Sequence, residues 1–92
     1  MSHTDVRSVR VTATGSAAVG PARVKGLVLT TAAGTPRLTI TDGNGGSTEL
    51  DLDFASGATT YDLRFSDNGI RFESDVYVSA FTNITAATII YG

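Results

Sequence analysis

The 92-residue chain has no cysteine, no tryptophan, one histidine and one lysine. Without cysteine there is no disulfide and no thiolate metal site. The one histidine, His3, has no second histidine to complete a metal site and no nucleophile and acid beside it for a triad. Nucleophilic and acid–base chemistry depends mostly on His, Cys and Lys, so the sequence reads as that of a non-enzymatic protein needing no cofactor. No apolar run approaches the roughly 20 residues that span a bilayer as a helix, and no membrane association is expected. The opening "MSHTDVRSV" lacks the apolar core of a signal peptide, which predicts production and use without export. Net charge is −2. The six Arg and Lys25 are scattered rather than gathered into a basic stripe, so nucleic acid is not an expected partner.

Charge of both signs is scarce. Charged residues make up 17% of the chain, against about 25% in ordinary domains. Lys25 is the only Lys, and Glu49 and Glu73 are the only Glu. Thr, Ser and Ala take their place. Such a surface is either a Thr-rich β surface, since Thr favours strands, or a surface partly covered by another chain. One domain of this size buries roughly 60–65% of the surface of its unfolded chain, so subunit contacts would add useful burial.

What is present is a two-residue rhythm. "TELDLDFASGATTYDLRFSDNGIRFESDVYV", Thr48 to Val78, alternates apolar and polar residues almost throughout. Strands are expected at Val6–Thr14, Ser16–Val19, Ala22–Thr31, Arg37–Thr41, Glu49–Phe54, Thr60–Ser66, around Ile70–Phe72, Val76–Thr82 and Thr85–Tyr91. In the first of these Val9, Val11 and Ala13 share a face. In Ala22–Thr31 the apolar set changes parity across Gly26, between Val24 and Leu27, which signals a bulge or a central strand covered on both faces. "DGNGGS", Asp42–Ser47, reads as a hairpin loop. The Asn-Gly pair of "DNG", Asp67–Gly69, favours a type I′ hairpin turn. The Thr48–Val78 stretch reads as three consecutive strands of a meander, in which Arg64 would sit across from Glu49, Asp51 or Asp53. Short strands at regular intervals with turn signals between them predict an all-β fold: one antiparallel β-sandwich or jelly-roll-like barrel of seven or eight strands spanning 1–92, with Met1–Asp5 a flexible arm.

Few constellations carry chemistry. Asp51 and Asp53 lie about 7 Å apart on one strand face, a separation glycosidase carboxylates use. Nothing near them in sequence would split their pKa values, so they read as a charged outer face. "DGNGGSTELDLD" places Asp42 and Asn44 at EF-hand positions one and three. Position six is Ser47 rather than Gly, and position twelve is Asp53 rather than Glu, so an EF-hand is excluded. A looser cation site on Asp42, Asn44 and loop carbonyls remains an alternative to a plain tight turn. The glycines lack the Lys-Ser/Thr of a phosphate-binding loop. Asn83–Thr85 is a glycosylation sequon only in a secretory pathway. Tyr77 and Phe81 oppose Val76, Val78 and Ala80 in parity, and Ile90 opposes Ile89 and Tyr91. The last two strands are therefore apolar on both faces, either central in the sandwich or in contact with another chain. Tyr77, Phe81 and Ile90 are the candidate contact residues; no catalytic, cofactor or metal residue is assigned.

The order of segments resembles a known group. A polar opening strand leads to "ARVKGLVLTTAAGTPRLTITDG". After it come an apolar–acidic strand, "YDLRFSDNGIRFES", and a closing Ala/Thr strand ending in "IIYG". Over about Val6 to Tyr91 this is similar to the short all-β virion proteins of tailed bacteriophages and prophages, with "VKGLVL" and "DNGIRF" as the recurring steps. The resemblance implies a head decoration or cement subunit that binds the major capsid protein or other virion proteins and holds capsomers together. It further implies assembly in the bacterial cytoplasm, residence in the virion and a homo-oligomer, a trimer being favoured. The alternatives are a neck, tail or fibre protein of the virion and, from another class, a carbohydrate-binding sandwich module, which normally presents exposed aromatics.

Overall fold

Side-chain alternation at a period of two becomes nine strands in the computed structural model, which describes residues 7–65 and 69–92. They are β1 (Arg7–Val11), β2 (Gly15–Val19), β3 (Ala22–Thr31), β4 (Arg37–Asp42), β5 (Thr48–Asp53), β6 (Thr60–Arg64), β7 (Ile70–Phe72), β8 (Asp75–Thr82) and β9 (Ile84–Tyr91). Among the described residues there is no helix. One sheet runs β1-β9-β3-β6, with β7 also on β3; the other runs β2-β8-β4-β5. All pairings are antiparallel. The two sheets make a small β-sandwich, the predicted class, with one strand more than the upper count. His3 and the proposed arm Met1–Asp5 lie outside the described residues.

The inner faces meet in one core. Val24, Leu27, Leu29, Phe72, Ala87 and Ile89 come from the first sheet; Leu38, Ile40, Val76 and Val78 come from the second. Phe72 is the largest fully buried side chain. Both β8 and β9 are interior strands of their sheets, which accounts for their apolar residues on both faces. The parity change around Gly26 is a bulge: Val24 pairs with Tyr91 and Gly26 with Ile90, leaving Lys25 as the extra residue. A Cβ on Gly26 would stand 2.9 Å from the Leu63 carbonyl oxygen, so β6 approaches as closely as it does because position 26 has no side chain.

The meander does not form. β5 is the edge strand of the second sheet and β6 an edge strand of the first. Their apolar faces meet across the core instead of side by side, with the Phe54 and Tyr61 rings 4.8 Å apart. The expected pairing of Arg64 with Glu49, Asp51 or Asp53 is lost for the same reason. Arg64 binds Asp62 on its own strand at 2.9 Å, and Arg37 of β4 binds Asp51 at 3.0 Å.

The "DNG" hairpin is also corrected. Asp67 and Asn68 lie outside the described residues, but their flanks do not form a hairpin. Both β6 and β7 run antiparallel to β3, one after the other along its edge, so the chain keeps its direction. Alternation on both sides of a turn signal cannot separate a hairpin from an interrupted edge strand. Ala13 does not continue β1 either. Residues 12–14 form an exposed bend that carries the chain from the first sheet to the second. The Asp42–Ser47 hairpin loop does form between β4 and β5. It is closed by Asp42 N–H to Ser47 C=O at 2.8 Å, and a Cβ on Gly46 would collide with the Asp42 carbonyl.

Candidate functional site

Two contacts not signalled in the sequence hold the loops at the ends of the sandwich. Thr31 is buried at the end of β3. Its hydroxyl lies 2.7 Å from the Gly57 carbonyl oxygen and 3.1 Å from that of Thr59, and it accepts the Thr59 N–H at 2.9 Å. One side chain thus holds the β5–β6 crossing loop. Asn83 sits at the corner between β8 and β9 with φ 54°, a left-handed conformation Asn tolerates better than most residues. Its amide donates to the Thr35 carbonyl at 3.2 Å. The asparagine of the sequon is thereby an exposed corner residue tied to the β3–β4 loop.

Asp42, the first residue of the considered cation loop, turns its carboxylate toward the β7–β8 crossing. Its Oδ1 accepts the N–H of Ser74 at 2.7 Å and of Glu73 at 3.0 Å. The Ser74 N–H has the largest effect in lowering its pKa. Desolvation pulls the other way, and the Glu73 and Asp75 N–H groups add to the lowering. A folded-state pKa below the unfolded one adds stability above the unfolded value, about pH 3.9, and that stability is lost as pH falls through the folded value. Asp42→Asn should therefore flatten the acid limb of a melting-temperature profile taken below about pH 4. An unchanged acid limb would show that the contact does not act. Among the described residues no group of three or more His, Cys, Asp or Glu is placed to hold a metal ion.

The carboxylates of β5 stand on the outer face as expected. Asp51 takes both Arg37, through two contacts at 3.0 and 3.1 Å, and the Thr39 hydroxyl at 3.0 Å. Both charged partners are about half exposed, so this is a solvated surface pair worth at most about 1 kcal/mol. Two shallow clefts of about 240 Å³ each adjoin at one end of the sandwich and share Pro21, Ala22 and Gly92. The charged side chains on their walls are arginines: Arg7, Arg23 and Arg71.

The three candidate contact residues do not share one surface. Phe81 is corrected to the inner side. β8 carries a bulge at Ser79, so Val78 pairs with Ile40 and Phe81 with Leu38, both partners fully buried. One extra residue reverses the face, and Phe81 packs against the core. Tyr77 stays on the outer face of the second sheet, between Thr41 of β4 and Ser16 of β2. Ile90 lies on the outer face of the first sheet, between Ser8 and Gly26. Of the seven aromatics, Phe54, Tyr61, Phe65, Phe72, Phe81 and Tyr91 belong to the core or pack against it, which leaves Tyr77 alone on an outer face. A flat sugar-binding platform normally uses exposed aromatic rings, and a single ring makes a poor one.

The outer faces are the extended features available for recognition. On the second sheet Tyr77 stands in register between Ser16 and Thr41, with Thr39 and Ala80 further along the face. Thr41 is buried with its hydroxyl on the Gly43 carbonyl, and the acids are those of β5 and Asp75 at the start of β8. On the first sheet the register sets three rows. Arg10, Thr88, Val28 and Asp62 form one, and Ser8, Ile90, Gly26 and Arg64 the next. Ala86, Thr30 and Thr60 form the third. The two central strands contribute only uncharged residues to these rows, and the charges stand on the flanking strands. Comparison with protein-family models, with curated proteins and with solved structures finds no match.

Proposed function

We propose that this chain is a non-enzymatic structural subunit of a tailed-phage virion, a head decoration or cement protein. Its outer sheet face around Tyr77 docks on the major capsid protein and bridges capsomer contacts. The observation that carries this reading is the composition of that face: a lone aromatic ring set among Thr, Ser and Ala, with charge limited to the Arg37–Asp51 side of the sheet and to Asp75 at the start of β8. Uncharged, half-covered side chains lose little on desolvation, and a single aromatic anchor in their midst suits a protein contact. The resemblance of the segment order to that of small virion proteins supports the same reading. Many copies on one shell need only modest affinity each, because repeated contacts raise effective concentration.

The test is co-sedimentation of the purified chain with expanded and unexpanded capsids from the phage or prophage that encodes it. Binding to expanded capsids is expected, with Tyr77→Ala lowering occupancy at least about tenfold, the loss of one anchor residue. A high copy number per particle goes with decoration; a few copies at one vertex would place the protein at the neck or tail instead. Absence of binding to any virion component would overturn the proposal.

A further inference from the structure

The outer face of the first sheet has a charge pattern that complements itself, and from it we infer that this face pairs with the same face of a second copy of the chain. The strands lie in the order β1-β9-β3-β6, so the midline of the face falls between β9 and β3. A two-fold axis along that midline, parallel to the strands, lays β1 of one copy over β6 of the other and β9 over β3. Rows stay opposite the same rows. Arg10 on β1 and Asp62 on β6 belong to one row, at its two ends. The axis therefore sets each Arg10 over the other copy's Asp62, twice in the pair. Interfaces related by two-fold symmetry require this kind of self-matching surface.

The interior of the face fits the same operation. Ile90 comes over Gly26, where the missing side chain leaves the sheet low. Thr88 comes over Val28, and Ala86 over Thr30. The Arg64 side chain now lies across Gly26, its Cδ 3.3 Å from where a Cβ would be. It is mostly exposed and already bound to Asp62 at 2.9 Å, so it can swing outward at little cost while keeping that pair at the rim, where Asp62 also meets the Arg10 of the second copy. Across these three rows the result is an uncharged centre with a charged rim, the usual anatomy of a protein interface. The next row along β3, that of Arg23 and Arg71, faces its own counterpart, and its like charges weaken the pair. The small crossing angle of aligned sheets, about 30°, is compatible with the axis.

The face is small. Four strands about 4.8 Å apart and about five residues long cover roughly 300 Å² per copy, below the roughly 800 Å² per partner of a standard stable interface. The pair is thus weak and concentration-dependent, and raised salt weakens it further. Each pair points its two Tyr77 faces in opposite directions, which makes it bivalent.

Sedimentation velocity on the full chain, from roughly 10 µM to roughly 1 mM, reads this directly, since interfaces of this size associate in that range. A monomer–dimer equilibrium is expected. Arg10→Asp or Asp62→Arg alone should weaken it at least about tenfold, and the double reversal should restore it to within about threefold. Circular dichroism of each variant confirms folding; Arg10→Asp alone tests the contact should Asp62→Arg unfold. A strict monomer across the range overturns the inference. So does a trimer, or a dimer that neither reversal weakens. The pairing does not depend on the virion reading. A dimer with no affinity for capsids sinks only the proposed function, and a monomer that binds capsids sinks only the pairing.

Discussion

Phe72→Ala is expected to lower stability by about 3–5 kcal/mol. Phe72 sits on the three-residue β7 and is the largest side chain with no exposure. The total stability of a domain this size is about 5–14 kcal/mol, so the loss is at least about a fifth of the whole. Two features push the cost toward the upper end. Among the described residues β7 pairs with β3 alone, at Ala22–Val24, so little sheet pairing anchors the strand once the ring is gone. The neighbouring core side chains come from both sheets and cannot all close on the cavity. Chemical denaturation should show a lower midpoint, and Phe72→Leu, which keeps most of the volume, should recover much of it. A loss under about 1 kcal/mol for the alanine variant would mean that β7 is not packed as described.

The second large effect is expected at Thr31. Thr31→Val keeps shape and β-branching while removing the hydroxyl, so packing and strand propensity stay nearly constant. The Thr59 N–H and the Gly57 C=O then lose their partner at the base of the crossing loop. An unsatisfied buried polar group costs about 1–3 kcal/mol, equivalent to a fall in melting temperature of roughly 5–20 °C for a domain of this size. Thr31→Ser should be milder, because it keeps the oxygen. Thr30→Val is the neighbouring control. Thr30 is exposed and its hydroxyl meets that of Thr60 at 3.3 Å in an exposed contact, so its loss should be small. Equal effects at 30 and 31 would sink the argument that the Thr31 hydroxyl holds the loop.

These two positions show where the sequence can be read and where it cannot. Phe72 was legible as an inward residue, since it alternates with the polar Arg71 and Glu73. Thr31 was not. It follows Thr30 in an ordinary β-rich segment, and its distinction arises from residues 26 to 28 places later in the chain. Phe81 was misassigned by the same limit. Parity counting assumes an unbroken pleat, and the bulge at Ser79 becomes visible only when β8 is laid against β4. The bulge at Lys25 was readable because Gly26 marked it; Ser79 carries no such mark.

The sequence by itself determined the fold class, most of the strand positions, the hairpin loop at Asp42–Ser47 and the bulge beside Gly26. These depend on side-chain periodicity and on glycine, which act over a few residues. Only the tertiary structure decided which strands pair. It sent β5 and β6 to opposite sheets, joined β6 and β7 along one edge of β3 and placed Tyr77 and Ile90 on opposite outer faces. Alternation says that one face of a strand is buried and is indifferent to the strand that covers it. Partner choice depends on contacts between distant segments, and those exist only once the two sheets have closed on a common core.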